Sequence, residues 1–213
     1  MTTASKLIRN TLTRTIPLEL RSYLTPRPST GVDRATWDRE YAAGEWSKLG
    51  NLDEMPRYAM IAGYARAIGS AASVLDVGCG EGYLARWLFE AGTRRYTGID
   101  VSRVAIDKAQ TSAPSEARFE VADAVTFDPG ERFDMIVLNE VLYYMDRPEE
   151  VLDRYAGFLT PDGYLVISMY RVPESLHAWR RCVPQLEVLD NVWLKGTKAE
   201  WNVWLCRPKQ RPA

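Results

Sequence analysis

The chain has 213 residues, 46% of them hydrophobic, and a formal net charge of −1 from 27 Lys and Arg against 28 Asp and Glu. That length and apolar content suit one domain with a sizeable core, and the near-neutral balance supplies no basic field to draw the chain to nucleic acid or to an anionic membrane. Three cysteines without a C-x-x-C pair, a single histidine and no apolar run near the roughly 20 residues of a membrane span argue against a disulfide framework, a multi-histidine metal site and stable membrane insertion.

Residues 1–24 interleave Leu7, Ile8, Leu12 and Ile16 with Lys6, Arg9 and Arg14, an amphipathic basic segment expected to pack on the domain as an extension. The start carries no signal-peptide pattern, and the expected location is the cytoplasm. Thr25 to Gly31, with two X-Pro steps, reads as a linker. A helix is expected from Asp33, as N-cap, to Gly44, and a second from Met55 to about Ile68 with Pro56 in its first turn. Trp37, Tyr41, Trp46, Tyr58 and Tyr64 make this region aromatic, a stripe read first as packing and secondly as a lid over a ligand.

Val74 to Val77 is a short apolar strand interrupted by Asp76, and Gly78, Gly80 and Gly82 follow at alternate positions before a helix to about Glu90. Strand, glycine turn and helix together bring backbone close to a ligand at a helix N-terminus. Further strands are expected at Arg95 to Asp100, Arg118 to Val121, Phe133 to Leu138 and Tyr164 to Met169. Between them lie a helix capped by Ser102 and another from Arg147 to Leu159, capped by Asp146, before a turn at Pro161-Asp162-Gly163. After a short helix from Pro173 to Arg181, Gln185 to Leu194 and Trp201 to Cys206 read as a hairpin around Lys195 to Lys198. Alternating strands and helices imply a parallel sheet with right-handed crossovers, extended by an antiparallel strand from the hairpin.

The glycine turn narrows its own ligand. A phosphate-binding P-loop requires Lys-Ser/Thr after the last glycine, where this chain has Tyr83-Leu84. A dinucleotide fingerprint from Gly78 places the bulky Tyr83 where helix and strand must approach closely. Asp76 and Glu81 repel a pyrophosphate and favour a cationic, phosphate-free ligand such as S-adenosylmethionine. Asp100, twenty positions after Gly80, ends the second strand where a carboxylate accepts bonds from a ribose diol.

Val74 to Ala85 (V-L-D-V-G-C-G-E-G-Y-L-A), Tyr96 to Ser102 (Y-T-G-I-D-V-S), Ala122-Asp123, Phe133 to Tyr144 (F-D-M-I-V-L-N-E-V-L-Y-Y) and Leu159 to Ser168 (L-T-P-D-G-Y-L-V-I-S) resemble, in order and spacing, the motifs of class I S-adenosylmethionine-dependent methyltransferases. The N-E-V-L-Y-Y segment is similar to that of nodulation-type small-molecule N-methyltransferases. The resemblance implies an α/β, Rossmann-like, seven-stranded, mostly parallel sheet in the order 3-2-1-4-5-7-6, with strand 7 antiparallel and flanking helices. It divides the chain into an N-terminal helical extension or lid, residues 1–54, and a methyltransferase domain, residues 55–213.

The same resemblance assigns Asp76, Gly78, Cys79 and Gly80 to the methionine portion of the cofactor, Asp100 and Val101 to the ribose, Asp123 with Ala124 to the adenine, and Asn139 to the end of the fourth strand. Glu140, Tyr143 and His177 are the catalytic candidates at the acceptor, with Glu140 able to take or orient a proton. The implied reaction moves a methyl group to an amine or hydroxyl of a small, sugar-containing or secondary metabolite and leaves S-adenosylhomocysteine, with no metal. The alternatives are a protein methyltransferase and a non-catalytic cofactor-binding partner. A monomer or homodimer is expected.

Overall fold

The computed structural model describes residues 17–18, 32–69 and 73–209. Apart from Pro17 and Leu18, the amphipathic segment and linker expected before residue 32 lie outside the described residues. The sheet contains β1 (Ser73–Val77), β2 (Arg95–Asp100), β3 (Arg118–Val121), β4 (Phe133–Asn139), β5 (Leu159–Tyr170), β6 (Leu186–Lys195) and β7 (Glu200–Pro208). Their order is β3-β2-β1-β4-β5-β7-β6, with β7 antiparallel to both β5 and β6. This is the order and polarity expected from the resemblance.

Two helices precede the sheet, α1 (Arg34–Ala42) and α2 (Met55–Ile68). The crossovers are α3 (Tyr83–Glu90) after β1, α4 (Arg103–Ser112) after β2, α5 (Pro148–Ala156) after β4 and α6 (Pro173–Cys182) after β5. The expected caps form at α1 and α4. Asp33 accepts from the Thr36 N–H at 2.8 Å, and Ser102 accepts from that of Ala105 at 3.2 Å. Gly69 ends α2 in the left-handed conformation, which a residue with a Cβ adopts only with strain.

Alternation along the central strands fills two cores. Leu75, Val77, Ile136, Leu138, Leu165 and Ile167 face one side, under α5 and α6 through Leu152, Tyr155 and Ala178. Val74, Met135, Val137 and Val166 face the other, under α2 and α3 through Ile61, Leu84 and Leu88. Burial on both faces is why β4 reads as a continuous apolar run and β1 as one broken only by Asp76.

Three details differ from the sequence reading. Helix α5 ends at Ala156 rather than Leu159, and its N-cap is Arg147, which makes no side-chain capping bond. Pro148 has no N–H to cap, and Glu149 and Glu150 complement the helix dipole, so Asp146 is not needed there. Its carbonyl accepts from Arg181 at 2.9 Å instead. Pro161-Asp162-Gly163 lies within β5: the pairing jumps from Phe133↔Leu159 to Met135↔Tyr164, so the intervening residues bulge while the chain stays in the sheet.

Candidate functional site

The carboxyl ends of β2, β1 and β4 meet around the glycine turn, the place where open parallel sheets hold ligands. The N–H groups of Gly78 and Cys79 both donate to the Ile99 carbonyl, at 2.8 and 2.9 Å, which ties the turn to β2. Gly78 has φ +71, and a Cβ there would collide with Val141 Cγ2. At Gly80, with φ +55, a Cβ meets the Tyr41 hydroxyl at 2.9 Å. The bare backbone thus lets the loop after β4 and helix α1 close on the turn from opposite sides.

Asp76 is 1% exposed, and its Oδ2 accepts from the Tyr96 hydroxyl at 2.7 Å. Its Oδ1 is buried with no hydrogen-bond partner, and so is Oδ1 of Asn139. Burial raises the Asp76 carboxyl to about 7. Two acceptors without donors at the ends of neighbouring strands are a costly arrangement in a protein alone. Groups carrying N–H donors or positive charge are the chemistry that satisfies such acceptors.

Asp100, unlike Asp76, has both oxygens satisfied. Its two oxygens accept from the Gly80 and Ser102 N–H groups at 3.0 and 2.8 Å, while burial raises its pKa. Asp123 is exposed after β3, where its Oδ1 accepts from Val125 N–H at 2.8 Å. Beside it, the Ala124 carbonyl accepts from Tyr155 at 3.0 Å. Val101 is the bend between Asp100 and the Ser102 cap. The Cys79 thiol is pushed up by burial, which makes it a poor nucleophile, and it packs where Gly98 leaves room.

Glu81 departs from its expected role as bare negative charge in the turn. Lys108 Nζ contacts its Oε1 at 2.8 Å, and the Tyr83 hydroxyl donates to its Oε2 at 2.6 Å. The carboxylate is therefore already compensated, and the attraction for a cation rests on Asp76. Tyr83, read from the sequence as spoiling a dinucleotide fit, holds Glu81 in place.

After β4 the chain turns sharply at Glu140, whose φ of +62 is the one left-handed non-glycine conformation among the described residues. Its carboxylate is surrounded by donors. Oε1 accepts from Ser168 Oγ at 3.0 Å and lies 3.5 Å from Arg57 Nη1. Oε2 accepts from the Tyr143 hydroxyl and the Tyr170 N–H, each at 2.8 Å. Glu140 and Tyr143 are thus brought together. His177 is half-buried in α6, the helix that packs on the Leu142–Tyr144 turn.

The sequence reading gave no individual role to several residues that build this region. Arg57, 2% exposed, lies between the rings of Tyr58 and Trp201 and joins Glu54, at 3.1 Å, to Glu140. Asp38 on α1 accepts from Ser102 Oγ at 2.6 Å, and Lys108 donates to the Tyr41 carbonyl at 2.6 Å. These bonds clamp α1 beside the glycine turn. Trp37 packs edge-on to Tyr144 with centroids 5.2 Å apart and lies 5.5 Å from Trp46, so the aromatic stripe does reach the site. The stripe was the signal for α1; nothing in the sequence marked Arg57 from any other helical arginine.

Among the described residues no group of His, Cys, Asp and Glu could hold a metal ion, and no helix is long and apolar enough to cross a membrane. The profile of the methyltransferase-domain family matches residues 52–197. Nodulation protein S of Rhizobium tropici is 34% identical over 140 residues, covering 63% of this chain and 58% of that protein. Nodulation protein S of Bradyrhizobium diazoefficiens is 32% identical over 143 residues, 63% of this chain and 66% of the relative. The chain therefore spans less than two thirds of the length of these relatives. Among solved structures, N-methyltransferase NodS from Bradyrhizobium japonicum in complex with S-adenosyl-L-homocysteine superposes with a TM-score of 0.70 at 23% identity, over 83% of this chain and 98% of that one. The 1,6-didemethyltoxoflavin-N1-methyltransferase of Burkholderia thailandensis gives 0.66 at 22% identity, over 83% and 87%. These likenesses establish the fold.

Proposed function

Because this chain belongs to the methyltransferase-domain family, we infer that it binds S-adenosylmethionine at the glycine turn and transfers its methyl group to an amine or hydroxyl of a small molecule. The observation that carries the reading is the pair of partnerless buried acceptors, Asp76 Oδ1 and Asn139 Oδ1, beside the glycine turn. A ligand with an ammonium group meets that need, and one with phosphates does not. Asp100 supports the ribose assignment, since its oxygens are gathered at the end of β2, and Asp123 with Ala124 marks the adenine side. Cys79 and Val101 contribute backbone and bulk to the same surface.

When bound, the cofactor supplies a methyl group already activated by the sulfonium. The residues are left with holding, orienting and excluding water. The turn at Gly78 and Gly80 borders the methionine portion, with Val141 and Tyr41 closing on it. Glu140 and Tyr143 lie on the acceptor side, and His177 is assigned there because α6 packs on the turn that carries Tyr143. The N-methyltransferases of like fold support an amine over a hydroxyl, and the 1,6-didemethyltoxoflavin bound by one of them supports a metabolite over a polymer.

Titration calorimetry with S-adenosylhomocysteine, with ATP and NAD as controls, tests the cofactor assignment. Saturable binding of the first alone is expected, and ATP or NAD binding in its place overturns the reading. Transfer of labelled methyl from S-adenosylmethionine to an amine panel tests the activity.

A further inference from the structure

Glu140 occupies a conformation that glycine or asparagine adopts more easily, yet a glutamate stands there with every side-chain oxygen engaged. Such strain persists only where the surroundings over-determine it. Here Arg57 does so from one side and Tyr143 from the other. Arg57 is itself locked by two aromatic faces, by Glu54 and by the Tyr58 hydroxyl at 3.0 Å.

Full engagement changes what Glu140 can do. A carboxylate with four donors around it has no oxygen turned toward an incoming proton. Tyr143 has a single hydroxyl proton and gives it to Glu140, so toward any other molecule its oxygen acts as an acceptor. The phenol stays protonated at neutral pH, because burial and the Glu140 charge raise it. The Tyr143 oxygen also bonds the Tyr144 hydroxyl and keeps one further acceptor position, so the cluster offers a fixed hydrogen-bond acceptor and no free base.

We propose that Tyr143 Oη is the group that receives an N–H of the acceptor amine, and that Arg57 and Glu140 are positioning residues that fix its direction. The acceptor is then a neutral amine, which is nucleophilic unaided, rather than an alcohol, which needs a base. The new C–N bond forms from the nitrogen lone pair as the C–S bond breaks with its electrons left on sulfur. The extra proton on the methylated nitrogen leaves to water, and Tyr143 neither gives nor takes one.

This rests on the methyltransferase reading, but part of its test does not. In protein labelled with 3-fluorotyrosine, the ¹⁹F resonance that disappears in Tyr143→Phe belongs to Tyr143. That resonance is expected to shift in Glu140→Gln and in Arg57→Met and to return toward its original position in Arg57→Lys. An unchanged resonance in both Glu140→Gln, which retains the side chain's shape, and Arg57→Met overturns the relay. With S-adenosylmethionine and the probes benzylamine and glucosamine, each against its hydroxyl counterpart, amines alone are expected to be methylated. The rate is expected to rise with pH along each amine's own titration, and Tyr143→Phe to lower kcat/KM at least tenfold. A common inflection shared by all amines and removed by Glu140→Gln makes Glu140 the base and overturns the assignment. Cofactor binding without methylation of either amine overturns it too, whereas absent cofactor binding overturns the methyltransferase reading instead.

Discussion

Replacing Asp76 by Asn removes one buried titratable group and changes almost no shape. Burial raises this carboxyl to about 7, about 3 pKa units above its ordinary ~3.9, which corresponds to ~4 kcal/mol against the charged form. An opposite charge ~4 Å away contributes about 4 kcal/mol at an effective dielectric near 20, enough to bring the carboxyl back to its ordinary range. Binding of a cationic ligand against Oδ1 is therefore expected to expel the proton. At pH 6 about one proton leaves per ligand bound, at pH 7 about half a proton, and at pH 9 none. Between pH 7 and about 4 the affinity for S-adenosylhomocysteine falls up to about tenfold per unit. The ligand-free protein follows the opposite sign. An acid raised on folding contributes most at low pH, and stability declines as pH rises from about 4 through 7. Asp76→Asn is expected to melt higher than wild type at pH 8 without ligand, to bind at least tenfold more weakly, and to lose the pH dependence. Calorimetry at pH 6.5 in buffers of different ionisation enthalpy reads the proton directly. Equal heats in all buffers for wild type, or proton release that survives in Asp76→Asn, refute the assignment of the proton to Asp76.

Gly78→Ala places a Cβ at φ +71 and against Val141 Cγ2, so a loss of about 1 kcal/mol or more in stability and a loss of cofactor affinity are expected in denaturant titration and calorimetry. Ser102→Ala removes the cap of α4 and the bond to Asp38; a loss of about 1–2 kcal/mol is expected, with faster proteolysis within α1. Glu140→Gly relieves the left-handed backbone yet leaves the Arg57 guanidinium without its partner across the turn. A net loss of stability is expected in thermal melts, because Ser168, Tyr143 and the Tyr170 N–H lose their shared acceptor as well, and hydrogen bonds to a charged group contribute about 1.5–3 kcal/mol each against about 1 for the strain. Leu138→Ala, fully buried between β4 and α5, is expected to cost about 2–5 kcal/mol in denaturant titration.

The sheet was legible because its strands obey simple rules. Runs such as Met135 to Leu138 are apolar on both faces, as parallel strands between helices must be, and Ser102 and Asp33 mark helix starts by their own hydrogen bonds. The β5 bulge was missed because Pro161 and Gly163 carry turn chemistry that a register jump also uses. In the site, Asp76 and Asp100 were marked by position at strand ends. The state of their charges was not marked, since it depends on burial and on partners distant in sequence. Glu81 shows the difference: it reads as free negative charge until Lys108, on the next crossover helix, is seen to neutralise it. Arg57 and Glu140 are far apart in the chain and meet only once α2 packs over the sheet, so no local pattern links them.

A crystal structure of the protein grown with S-adenosylhomocysteine tests whether the carboxyl ends of β2, β1 and β4 cradle the cofactor. The ligand's ammonium is expected against Asp76 Oδ1 or Asn139 Oδ1, its ribose hydroxyls on Asp100, and its adenine beside Asp123. Density for the ligand elsewhere, or a glycine turn left empty at saturating ligand, contradicts the cofactor assignment.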